Sequence, residues 1–123
     1  MVLNIIHLND RLIAEVPKGE AAVTDTDEML DILADAGQSG AQSVIIYEEQ
    51  LPSGFFDLKT RIAGEILQKF SNYRMYLAVV GSFGNYPGKS LRDFIRESNR
   101  TGRTVFVGSK EEALKHFSGR KGQ

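Results

Sequence analysis

The sequence predicts one α/β domain built on a mainly parallel sheet, and three observations carry that reading. Two short β-rich runs at the start are joined by the turn pair Asn9-Asp10, which specifies a hairpin. Two later runs, Ser43–Tyr47 and Tyr76–Val80, are almost continuously apolar, as strands are when both faces of a sheet are covered. Around them, segments with apolar residues at helical spacing alternate with strands, and right-handed crossovers turn that alternation into a parallel sheet.

The expected hairpin spans residues 2–8 and 11–16, and Pro17, Lys18 and Gly19 close its second strand. Asp25 and Glu28 stand at capping-box spacing ahead of Met29, Ile32, Leu33 and Ala36, which places a first helix ending near Gly37. After the strand at 43–47, Leu58, Ile62, Ile66, Phe70 and Tyr73 fall on one stripe, widened by Ala63 and Leu67, and predict a helix over 56–72. The strand at 76–80 leads to a third helix over 89–99 through Leu91, Phe94, Ile95 and Ser98. A last strand, Thr104–Val107, precedes a short helix capped by Ser109 with Glu112 three residues on. The expected order is β-β-α-β-α-β-α-β-α, a single domain over 1–117 followed by a flexible tail over 118–123.

Bulk properties exclude several classes. With 123 residues and a net charge of −1, the chain has the size of one domain and no general attraction for nucleic acid. From Pro87 onward there are nine Lys/Arg and four Asp/Glu, against six and twelve before it, so a basic end follows an acidic body. The basic residues are spread over several elements, as on a solvated surface. There is no cysteine, hence no disulfide or thiol nucleophile. No run approaches the roughly 20 apolar residues of a membrane span, and the start lacks the pattern of a signal peptide. Cytoplasmic location is the expectation, with neither nucleic acid nor membrane as partner.

The segment Gly81-Ser82-Phe83-Gly84-Asn85-Tyr86-Pro87-Gly88-Lys89-Ser90 follows a strand and precedes a helix, the setting of a phosphate-binding loop. Its spacing fails, because such a loop has four residues between its first glycine and Gly-Lys-Ser. Gly84 leaves three and Gly81 leaves six. Asn85 to Gly88 reads instead as a turn, with Lys89 and Ser90 opening the helix.

Asp57, Arg61, Glu65 and Lys69 recur every four residues with alternating charge and are expected to pair along the second helix. Gly64, inside that helix, is expected to mark a close backbone approach. Glu48, Glu49 and Asp57 are expected near the carboxyl ends of strands, where open α/β sheets place their sites, and two carboxylates in unlike surroundings can divide acid and base work. No nucleophile is partnered with them, so the enzyme reading is the weaker one. His7 and His116 lack metal-ligand spacing. No cofactor signature is present.

The string Phe55-Phe56-Asp57-Leu58-Lys59-Thr60, continued by Ala63-Gly64-Glu65-Ile66-Leu67-Gln68-Lys69-Phe70 and Asn72-Tyr73-Arg74, resembles a bacterial family known as domain of unknown function family 4180. Lys89-Ser90-Leu91, Asp93-Phe94-Ile95 and Glu97 to Asn99 add to the resemblance, which carries no established activity. In element order the chain also resembles the SpoIIAA-like, or STAS, fold of anti-sigma-factor antagonists and transporter tails. That resemblance implies an Asp-Ser pair at the start of a helix, with the serine phosphorylated. Asp57 occupies the first position, Leu58 has no hydroxyl for the second, and Thr60 is the nearest substitute.

The favoured expectation is a STAS-like, non-enzymatic domain that binds an unidentified protein partner through the second helix and the loops before it. Its surface would include Glu48, Glu49, Asp57, Thr60 and Glu65. The alternative is a small-ligand or phosphate-binding domain using Lys89, Ser90 and the strand-end carboxylates. A homodimer is expected if Phe55 and Phe56 form an exposed patch.

Overall fold

In the computed structural model residues 2–20 and 23–119 are described; residues 120–123 of the expected tail lie outside them. The elements are β1 (Asn4–Leu8), β2 (Arg11–Glu15), α1 (Thr26–Gln38), β3 (Ser43–Tyr47), α2 (Ile62–Asn72), β4 (Tyr76–Val80), α3 (Lys89–Thr101), β5 (Thr104–Val107) and α4 (Lys110–Ser118). Two single 3₁₀ turns, Glu48–Gln50 and Leu58–Thr60, lie between β3 and α2. Ser118, expected in the tail, closes α4.

The five strands lie in sequence order, β1-β2-β3-β4-β5. β1 and β2 are antiparallel, with Leu8 opposite Arg11, and Asn9 turns the chain at φ 56°. The other three pairings are parallel, so β2 to β5 all end on one edge of the sheet. β3 and β4 are buried at every position. Ala14, Val44, Ile46, Leu77, Val79 and Phe106 face a core completed by α1, α2 and part of α3. Ile13, Ile45, Tyr47, Ala78, Val80 and Val105 face the opposite side, against Ala113 and Phe117 of α4. Covering both faces explains why the central strands carry no polar alternation.

The local caps act as their spacing implies. Asp25 accepts the Glu28 N–H at 3.0 Å, and Ser109 Oγ accepts the Glu112 N–H at 3.1 Å. Glu28 reaches the Thr24 hydroxyl, at 2.6 Å, rather than the N–H of Asp25. One expected element is corrected: α2 begins at Ile62, not at residue 56. Arg61 takes φ 64° and ends the preceding 3₁₀ turn, because Thr60 Oγ1 is drawn to the carbonyls of Gly54 and Asp57, both at 2.8 Å. The same oxygen accepts the Ile62 N–H at 3.2 Å and so caps α2 in place of Arg61, which contributes no side-chain cap.

Candidate functional site at the carboxyl edge of the sheet

Glu15 closes β2 and Tyr47 closes β3 on the α4 side of the sheet. Lys110 opens α4 directly beyond β5. The Glu15 carboxylate is only 4 % exposed, so it must be paired to remain ionised. Tyr47 Oη donates to Oε2 at 2.6 Å, and Lys110 Nζ donates to Oε1 at 3.1 Å. Asn4 Nδ2 approaches the same Oε1 at 3.4 Å. Burial pushes the Glu15 carboxyl up, but the hydrogen bonds from Tyr47, Lys110 and Asn4 and the charge of Lys110 bring it below the ordinary value. Tyr47 is pushed well up by burial, by its bond to Glu15 and by the charges of Glu15, Glu111 and Glu49, so it stays a protonated donor.

These groups open on a cavity of about 620 Å³, lined also by Lys18, Glu49 and Glu111 and by the turns at 81–82 and 108–109. Lys18 Nζ stands 5.7 Å from the Tyr47 ring centroid, and no ion pair among the described residues engages it. The lining therefore sets two ammonium groups, Lys18 outside any ion pair of the described residues and Lys110 on the buried Glu15, against the carboxylates of Glu15, Glu49 and Glu111, and the one proton of the Tyr47 hydroxyl is committed to Glu15. Sequence reasoning missed Glu15, Lys18, Tyr47 and Lys110 as site residues. One signal was present: Glu15 shares the apolar face of β2 with Ile13, and a charge there requires a partner.

Of the residues singled out from sequence, Glu49 lines this cavity. Glu48 turns elsewhere: Oε1 accepts the Ser82 N–H at 2.9 Å and Oε2 accepts from the Tyr86 hydroxyl. Burial, that bond and the Glu48 charge push Tyr86 up to about 12. The Tyr86 ring stacks on Phe56 at 4.6 Å, and Phe83 lies against Phe106 at 5.4 Å, so the loop after β4 is held by aromatic packing and one carboxylate. Phe55 is 1 % exposed and Phe56 belongs to this packing, which removes the expected exposed dimer patch.

Asp57 Oδ1 accepts the Lys59 N–H at 3.1 Å, and Thr60 organises the same turn. Lys89 is paired with Asp93 at 2.6 Å, and neighbouring Ser90 is exposed in the first turn of α3. Glu65 lines a different groove of about 500 Å³, with Leu58, Arg61, Gln68, Lys69 and Phe94. The expected ion pairs among Asp57, Arg61, Glu65 and Lys69 are not among those formed by the described residues. The left-handed Arg61 interrupts the helical spacing on which the first of them depended. Gly64 is exposed with nothing near where a Cβ would stand, so it marks no close backbone approach. Among the described residues, no group of three His, Asp or Glu is placed to hold a metal ion and no helix is long and apolar enough to cross a membrane.

A family model described as Domain of unknown function (DUF4180) matches residues 8–117. No curated protein and no solved structure matches the chain.

Proposed function

For a chain that belongs to the DUF4180 family of domains of unknown function, we propose binding of a small polar molecule that carries both an anionic group and hydrogen-bond donors in the carboxyl-edge cavity. The observation that carries this reading is the buried Glu15, held by Tyr47 and Lys110 in the lining of a cavity of about 620 Å³ where parallel strands end. Ionisable groups perturbed by burial and a specific charge partner concentrate at concave functional sites. Lys18 supplies the cation for the anionic group, while Glu49 and Glu111 accept from donors on the rest of the ligand. The ligand-binding residues are therefore Glu15, Lys18, Tyr47, Glu49 and Lys110, in place of Lys89 and Ser90. Thermal-shift measurement with inorganic phosphate, nucleotides and small carboxylates tests the reading. A ligand at about 100 times its Kd stabilises the fold by about 2.7 kcal/mol. That shift is expected to disappear in Lys18→Ala, and a shift equal in both chains would count against the site.

A second reading is favoured by the α2 groove. Glu65, Lys69 and Arg61 carry charges that no ion pair among the described residues engages, around an apolar floor of Leu58 and Phe94. In this reading the domain is a STAS-like cytoplasmic regulator without the phosphorylatable serine, and α2 meets a protein partner. A partner held by the wild-type chain and released by Glu65→Lys with Lys69→Glu would favour it over the cavity.

A further inference from the structure

The two edges of the sheet are treated differently. On β5, the Leu77 N–H bonds Arg103 O and the Gly81 N–H bonds Val107 O, so Thr104 and Phe106 direct their backbone groups away from β4. Side chains of α3 occupy them. Asn99 Oδ1 accepts the Phe106 N–H at 2.7 Å, Asn99 Nδ2 donates to Phe106 O at 3.3 Å, and Ser98 Oγ donates to Thr104 O at 2.5 Å. The Asn99 amide thus takes the place of a further strand, and this edge is closed.

β1 ends the sheet on the other side, and no hydrogen bond outside the hairpin reaches its backbone among the described residues. Leu12 O and Val16 N bond to the β3 side, so Arg11, Ile13 and Glu15 direct their backbone groups at Leu8, Ile6 and Asn4. Ile5 and His7 are left with N–H and C=O groups pointing outward. Natural sheets blunt such edges with charge, proline or a bulge. Asn4-Ile5-Ile6-His7-Leu8 contains no proline, no Lys, Arg, Asp or Glu, and a continuous register with β2.

We propose that two copies of this chain pair through β1, antiparallel about a two-fold axis at Ile6, joining their sheets into one. A strand edge is its own complement under that symmetry. Ile5 exchanges hydrogen bonds with the partner's His7, and the two Ile6 side chains meet at a closely spaced, non-bonded position. No like charges are set opposite each other. Ile6 and Leu8, only partly buried against the second core, gain apolar cover on that face. This inference rests on the sheet edge and is independent of the cavity.

The native chain has no cysteine, so Ile6→Cys introduces a single thiol. Antiparallel non-bonded pairs stand about 4.5 Å apart at Cα, within the ~4.4–6.8 Å that a disulfide spans. Sedimentation of the native chain is expected to give twice the 13.7 kDa chain mass. Ile6→Cys is expected to cross-link under mild oxidation much faster than Asn85→Cys, on an exposed loop. His7→Pro removes an outward N–H without breaking the hairpin and is expected to give a folded particle of single-chain mass. A native particle of single-chain mass at high concentration would overturn the proposal. So would a dimer that survives in folded His7→Pro, or Ile6→Cys cross-linking no faster than Asn85→Cys. If His7→Pro does not fold, the cross-linking comparison decides.

Discussion

Removing the Tyr47 hydroxyl leaves the buried Glu15 carboxylate with Lys110 and Asn4 alone. Hydrogen bonds to a charged group contribute about 1.5–3 kcal/mol, so Tyr47→Phe is expected to lose that much stability near neutral pH, measured by denaturant unfolding. The folded pKa of Glu15 lies below its ordinary 4.5. Its stabilising contribution is therefore complete above 4.5 and is lost as pH falls through the folded value, so the difference between Tyr47→Phe and wild type is expected to shrink in acid. A different constraint acts at Gly81, where a Cβ would stand 2.5 Å from that of Glu48. Gly81→Ala is expected to cost about 1–3 kcal/mol through overpacking. Combined with Glu48→Gly, it should cost less than the two single changes together, since one removes the atom the other strikes.

Two elements show how side chains take over backbone roles. Thr60 organises the turn before α2 and caps the helix at Ile62, so Thr60→Ala is expected to cost about 1 kcal/mol and Thr60→Ser much less, read from thermal unfolding. Asn99 does the same for β5. Asn99→Ala leaves the Phe106 N–H and C=O without their partner and is expected to cost about 1–3 kcal/mol. It also opens a second edge, so association beyond two copies should follow, visible as concentration-dependent growth in sedimentation. The caps at Asp25 and Ser109 were readable because donor and acceptor lie three residues apart. The start of α2 was not, because the apolar stripe through Leu58 continues across Arg61 while the backbone does not. The bonds from Thr60 that accompany the left-handed turn there reach back to Asp57 and Gly54, beyond what helical periodicity records.

Across the whole molecule, the mainly parallel sheet was legible because β3 and β4 are apolar on both faces, and that pattern needs helices on both sides. The candidate site was legible only at Glu49. Glu15 and Lys110 are 95 residues apart, and only the folding of β2, β3 and α4 around one edge brings them together with Tyr47. Carboxylates that looked suitable in sequence, Glu48 and Asp57, are occupied in holding loops. The central claim is that this edge binds a small polar molecule through an anionic group at Lys18. Amide chemical shifts recorded during titration with inorganic phosphate and small carboxylates test it most directly. Saturable changes are expected at Ser82, Gly108, Ser109 and Lys110, and they should be lost in Lys18→Ala. Changes confined to α2, or none at millimolar ligand, would contradict it.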